Sequence, residues 1–184
     1  MNLANRLTVL RILLVPVFIA SLIYYTPSKP FFHPIALGTF LIACVTDGLD
    51  GYLAKKMKQK TELGSYIDPI ADKLLLLSGF LSLSLMNHLP SEMRVPAWVT
   101  IPIISRDVVI LVGSLIVFIA TGKLKAKPLF VGKLTTVVQM STLFLSLSAA
   151  PLVLRDTFYF LAVGLTVWSG ILYIGMGSQM FQEA

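Results

Sequence analysis

Acidic residues, histidine and cysteine are all scarce in this chain. Its 184 residues include nine Asp and Glu, two His and one Cys, and each shortage excludes something. The single Cys44 allows no intrachain disulfide and says nothing about redox compartment. His33 and His88 fall in predicted loops remote from the aspartates and read as ordinary loop histidines. Charged residues make up 13% of the chain against 56% hydrophobic, and the mean hydropathy is +0.83, which excludes an ordinary soluble globule. The net charge of +6 does not point to nucleic acid, because the lysines cluster in short links between apolar runs and are not interleaved with aromatics. Internal repeats and low-complexity segments are also missing, and the length leaves no room for a second domain. Residues 1–184 read as one membrane domain.

What is present is a series of apolar runs long enough to cross a bilayer, at about residues 9–25, 34–54, 66–87, 97–120, 132–152 and 157–177. The expected fold is therefore all-α, a polytopic integral membrane protein of six transmembrane helices around a cytoplasm-facing polar cavity. No small-residue cleavage site follows the first run, which reads as a retained span. One side collects Arg6, Lys55, Lys56, Lys58, Lys60, Lys123, Lys125, Lys127 and Lys133, and the other has Lys29, Arg94 and Arg155. This asymmetry predicts cytoplasmic termini and a site that opens to the cytoplasm.

The stretch from Asp47 to Lys73 stands out. It carries Asp47, Asp50, Asp68 and Asp72, and carboxylates at membrane depth are costly unless they pair, coordinate or line water. On helices, Asp47 and Asp50 stand three apart and Asp68 and Asp72 four apart, so each pair shares a face. Four such groups repel one another, and binding of divalent cations relieves that repulsion. An all-oxygen set selects hard ions, for which Mg2+ or Mn2+ is the expectation. An EF-hand is excluded: starting from Asp47, the ligand positions would be Leu49, Gly51 and Lys58. Gly51, Ala54 and Gly64 lie on or beside the same faces and leave room for a neighbouring backbone or a ligand.

The order Asp47, Asp50-Gly51, Ala54-Lys55, Gly64, Asp68, Asp72, with its internal spacing, resembles the signature of the CDP-alcohol phosphotransferase family. At Lys55 the family usually has Arg, so the charge is kept and the bidentate fork is lost. The resemblance implies transfer of the phosphatidyl group of CDP-diacylglycerol to an alcohol with release of CMP, usually in a homodimer. It also implies residue roles. Asp47, Asp50, Asp68 and Asp72 would hold two divalent ions, with Asp72 also the general base, and Gly51, Ala54, Lys55 and Gly64 would lie along the CDP-lipid.

Other segments bear on the two substrates. Asn5, Thr8 and Arg11 fall at helical spacing at the membrane edge and resemble the opening of family members that use glycerol 3-phosphate, which points Thr8 and Arg11 at the CDP-lipid. Lys73, next to Asp72, reads as a charge balance. Arg106 lies too deep to snorkel, and Asp107 beside it does not share its helical face, so Arg106 is expected to be an anion receptor, with Lys133 turning inward to join it. A basic pair suits a dianionic acceptor, and glycerol 3-phosphate is the first reading. The runs SRDV and KPLFVGKLTTVVQ are similar to family members that make cardiolipin from phosphatidylglycerol, which is the alternative. An inositol phosphate acceptor is a third. A divalent-cation transporter would need acids along the exit path, where the chain offers only Glu92 and Asp156. The final span, with Phe158, Tyr159, Phe160, Trp168 and Tyr173, reads as packing and interfacial anchoring without a site.

Overall fold

The computed structural model describes the backbone of residues 3–57, 62–121 and 130–182, and the side chains of residues 7–48, 73–113, 116, 119 and 130–176. Six helices follow in order: α1 (Leu3–Tyr24), α2 (Phe32–Met57), α3 (Glu62–Leu85), α4 (Ala97–Thr121), α5 (Phe130–Leu147) and α6 (Leu152–Gln182). The all-helical reading holds. Among the described residues, Leu7–Tyr24, Phe130–Leu147 and Leu152–Met176 are long and apolar enough to cross a membrane, and Phe32–Gly48 and Lys73–Leu85 are shorter apolar stretches.

Pro96 and Pro151 stand at helix starts, where a missing N–H costs nothing, whereas Pro16 and Pro102 lie inside α1 and α4. The Pro96 carbonyl accepts from the N–H groups of Val99 and Thr100 at 3.0 and 3.3 Å and opens α4. Pro151 does the same for Leu154 and Arg155 at 3.0 and 3.1 Å and opens α6. As a result α6 starts at Leu152, ahead of the 157 expected from hydropathy, and takes in a buried Arg155. Helix α5 ends at Leu147 and is capped by Ala149 at φ 50°, with the Ala150 N–H reaching back to Leu145 O at 3.0 Å. That six-to-one closure is the one glycine normally completes.

The chain forms two compact units, Met1–Val95 with Leu143–Ala150, and Pro96–Thr142 with Pro151–Ala184. In the first, α1 packs on both α2 and α3. Its buried stripe runs Thr8, Arg11, Val15, Phe18, Leu22, at alternating steps of three and four that keep one helical face inward. Phe18 meets Phe40 of α2 with ring centroids 6.0 Å apart. Leu75, Leu76, Phe80 and Leu83 of α3 complete the core, and Gly79 lets Leu143 approach so closely that a Cβ there would stand 2.7 Å from its Cδ1. Both histidines close helix ends. His88 Nε2 lies 2.9 Å from Leu22 O near the end of α1, and His33 Nε2 lies 2.7 Å from Leu147 O at the end of α5. These are carbonyls with no intrahelical partner. His33 sits in the first turn of α2, not in a loop.

In the second unit, α4 packs on α6. Val99, Ile103 and Arg106 form the inner stripe of α4, and Tyr159, Ala162, Thr166 and Ser169 that of α6. Helix α5 presents Thr135, Gln139 and Thr142, all buried, to α6: Thr135 Oγ1 donates to Leu165 O at 3.3 Å, Gln139 Nε2 to Thr166 Oγ1 at 3.0 Å, and Thr142 Oγ1 to Phe158 O at 3.4 Å. Interhelical bonds of this kind contribute about 0.6 kcal/mol each in a membrane protein. Phe160, Trp168 and Ile171 of α6 point outward, as lipid-facing residues do.

The left-handed turn at Ala149 gives a stability prediction. An L side chain in that region costs roughly 1–2 kcal/mol that glycine does not. Ala149→Gly should raise the thermal unfolding midpoint of the protein in detergent, and a lowered midpoint would contradict the left-handed cap.

Candidate active site

The aspartate stretch folds into two helices that contact each other and α1. Asp47 and Asp50 are on α2, and Asp68 and Asp72 on α3. The side chains of Asp50, Gly51, Ala54, Lys55, Gly64, Asp68 and Asp72 lie outside the described residues, as does the link 58–61.

Asp47 shows what the helical register does to such a group. Counting seven residues back along α1 from Phe18 reaches Arg11, and seven forward along α2 from Phe40 reaches Asp47, so the antiparallel seam that stacks the two rings also brings these two charges together. Arg11 Nη1 lies 3.0 Å from Asp47 Oδ1, with the arginine side chain 1% exposed and the aspartate 26%. The contact is an ion pair, and a buried guanidinium requires a partner of this kind. Arg11, expected at a lipid phosphate, is thus held by a carboxylate of the candidate metal cluster. Thr8 is buried one turn earlier on the same stripe. Arg11 engages one Asp47 oxygen, and the second belongs to a partly exposed carboxylate. A cluster whose donors are all such oxygens fits a hard divalent cation.

Arg106 forms the other polar centre. Its Nη1 donates to Asp107 Oδ1 at 2.8 Å, so the local ion pair that the sequence left possible forms although adjacent helical residues do not share a face. The backbone directions do diverge, but the long arginine stem folds back far enough for its head to reach the neighbouring carboxylate. Nη2 donates to Ser169 Oγ at 2.6 Å, and the guanidinium carbon lies 5.4 Å from the centroid of the Tyr173 ring, within cation–π range. Nε is buried without a hydrogen-bond partner among the described residues. Leaving a buried charged donor unsatisfied costs about 1–3 kcal/mol or more, and an anion accepting from that N–H would remove the cost. The residue of α5 against this head is Gly132, where a Cβ would stand 3.4 Å from Arg106 Nη2. Lys133, expected to turn inward, is exposed, and Lys73 is half-buried on α3.

Sequence reasoning missed Ser169 and Tyr173. The available signal was the spacing of Tyr159, Ala162, Thr166, Ser169 and Tyr173 at alternating steps of three and four, which places small and polar residues on one face of an otherwise apolar helix.

The profile of the family described as CDP-alcohol phosphatidyltransferase matches residues 1–168. The chain is 38% identical over 176 residues to a probable phosphatidylglycerophosphate synthase of Mycobacterium tuberculosis, covering 94% of this chain and 80% of the relative. It is 36% identical over 183 residues to a CDP-diacylglycerol--glycerol-3-phosphate 3-phosphatidyltransferase of Pseudomonas fluorescens, covering 95% and 89%. A relative with the same printed activity from Escherichia coli K12 is 31% identical over 182 residues, covering 94% and 93%.

The Arg11–Asp47 contact predicts non-additive stability. Arg11→Met strands the carboxylate and should lower the unfolding midpoint, and adding Asp47→Asn should recover part of the loss, with a coupling of about 0.5–3 kcal/mol. Strictly additive losses would mean that the two charges do not interact.

Proposed function

The chain belongs to the CDP-alcohol phosphatidyltransferase family, and from that premise we propose that it transfers the phosphatidyl group of CDP-diacylglycerol to glycerol 3-phosphate, releasing CMP and forming phosphatidylglycerophosphate. The observation that carries this is the match of nearly the whole chain to relatives whose printed activity names that acceptor. Those names favour glycerol 3-phosphate over phosphatidylglycerol. We read the six helices as six spans of a membrane enzyme, with both termini and the site on the cytoplasmic side, working as a homodimer.

In the reaction, the acceptor hydroxyl oxygen bonds to the phosphorus that carries the diacylglycerol. The bond from that phosphorus to the bridging oxygen breaks, and its electron pair leaves with CMP. Asp72 takes the hydroxyl proton as general base. The family uses divalent metal ions; Asp47, Asp50, Asp68 and Asp72 would hold them, Mg2+ or Mn2+ by donor type, and the ions would offset the charge of the pyrophosphate. Arg11 orients Asp47. Gly51, Ala54 and Gly64 give the nucleotide close approach, and Lys55 and Thr8 lie along the CDP-lipid. Arg106 receives the acceptor phosphate, with Lys133 adding positive charge at the exposed entrance.

Two outcomes test the assignment. Asp72→Asn should reduce turnover by roughly 10²-fold or more, the typical contribution of a general base, while leaving the unfolding midpoint near that of the parent. Near-parental turnover would remove Asp72 from that role. Chelation of divalent ions by EDTA should abolish CMP release, and excess Mg2+ or Mn2+ should restore it; activity indifferent to chelation would contradict the metal assignment.

A further inference from the structure

The buried head of Arg106 is held by groups that the reaction as described does not use. An arginine ends in a planar guanidinium with five N–H donors, and rotation about its last bonds leaves the direction of those donors open until partners fix it. Here Asp107 takes Nη1 and Ser169 takes Nη2. Tyr173, one turn beyond Ser169 on α6, has its ring centroid 5.4 Å from the guanidinium carbon. The third wall is backbone: a Cβ on Gly132 would stand 2.9 Å from Tyr173 Oη and 3.4 Å from Arg106 Nη2, so only glycine lets α5 pass without moving the ring or the head. At Gly170 of α6 a Cβ would make ordinary contact, 3.5 Å from Arg106 Cγ. Within this seat, Nε remains as a buried nitrogen with no partner among the described residues.

From this geometry we infer that Ser169 and Tyr173 are positioning residues that fix the Arg106 guanidinium so that its Nε–H is kept for the acceptor's phosphate, and that Ser169 thereby tunes acceptor affinity. The inference rests on the reading of Arg106 as the receptor of that phosphate. Ser169 suits the task because its hydroxyl accepts from Nη2 without adding a charge that would compete with the incoming anion. Asp107, in contrast, does carry charge. It neutralises part of the guanidinium through Nη1 and leaves Nε–H for a phosphate. Loss of the Ser169 hydroxyl frees the head to swing toward Asp107 and spend its donors there.

The test is steady-state kinetics of the purified, metal-loaded protein in detergent, with glycerol 3-phosphate and CDP-diacylglycerol varied in turn. Ser169→Ala should raise the KM for glycerol 3-phosphate about tenfold, the equivalent of ~1.4 kcal/mol. kcat and the KM for CDP-diacylglycerol should stay within about twofold. Ser169→Thr, which keeps the hydroxyl, should return the acceptor KM to near the parental value. In an Arg106→Ala background, Ser169→Ala should add nothing further. An unchanged acceptor KM in Ser169→Ala, or equal rises for both substrates, overturns the proposal. If Arg106→Ala itself leaves the acceptor KM unchanged, it is the reading of Arg106 that fails. If Arg106→Ala raises that KM and Ser169→Ala does not, the reading stands and the positioning role is wrong.

Discussion

A guanidinium carried into an apolar interior must find a partner, and most of what is distinctive in this molecule follows from that requirement. Of the three arginines buried among the described residues, Arg11, Arg106 and Arg155, two concern the candidate site: Arg11 in step with Val15 and Phe18 on α1, and Arg106 in step with Val99 and Ile103 on α4. Neither can snorkel without rotating a whole helix and exposing the apolar residues that share its stripe. Each therefore meets a carboxylate inside, Asp47 at 3.0 Å and Asp107 at 2.8 Å. Such pairs rarely stabilise a fold better than well-packed apolar residues would, because desolvating two charges offsets most of their attraction. Their retention points to a use for fixed charge. On the function proposed above, that use is to orient a carboxylate of the metal cluster in the first unit and to present a donor to an anion in the second.

The two units solve the problem with different materials. In the first, apolar stacking sets the register. Phe18 on Phe40 fixes how α1 and α2 slide, and the ion pair falls seven residues further along each helix as a consequence. In the second, polar contacts do more of the work. Thr135, Gln139 and Thr142 bind α5 to α6, and Ser169 extends the same polar face to Arg106. Hydrogen bonds are directional where apolar contacts are not, so a seat built from them holds a guanidinium plane at one angle. An account of phosphate recognition needs that directionality.

Much of the fold was legible in the chain itself, and for clear reasons. Apolar runs bounded by Pro27, Pro96, Pro151 and the lysine links place six helices within a few residues of where they lie, because a helix in an apolar setting is limited by length and by proline. The start of α6 was harder to read, since hydropathy discounts Arg155 although Pro151 opens the helix ahead of it. The aspartate spacing announced its chemistry because acids are rare here and their cost is high. The partners were less legible. Helical spacing says that Arg106 and Asp107 leave the backbone in different directions, but it does not say that a long side chain closes the gap. It also does not show that Gly132, not Lys133, lies against that head, or that His33 and His88 close helix ends. These are contacts between segments distant in the chain, or products of side-chain reach, and periodicity carries neither.

The reaction proposed for this chain is transfer of a phosphatidyl group to a small phosphorylated alcohol. Its most direct test is CMP release by the purified protein in detergent with CDP-diacylglycerol and Mg2+, supplied with glycerol 3-phosphate or with phosphatidylglycerol as the sole acceptor. The account predicts release with glycerol 3-phosphate and recovery of phosphatidylglycerophosphate as the lipid product. Release with phosphatidylglycerol alone, or with neither acceptor, would contradict it.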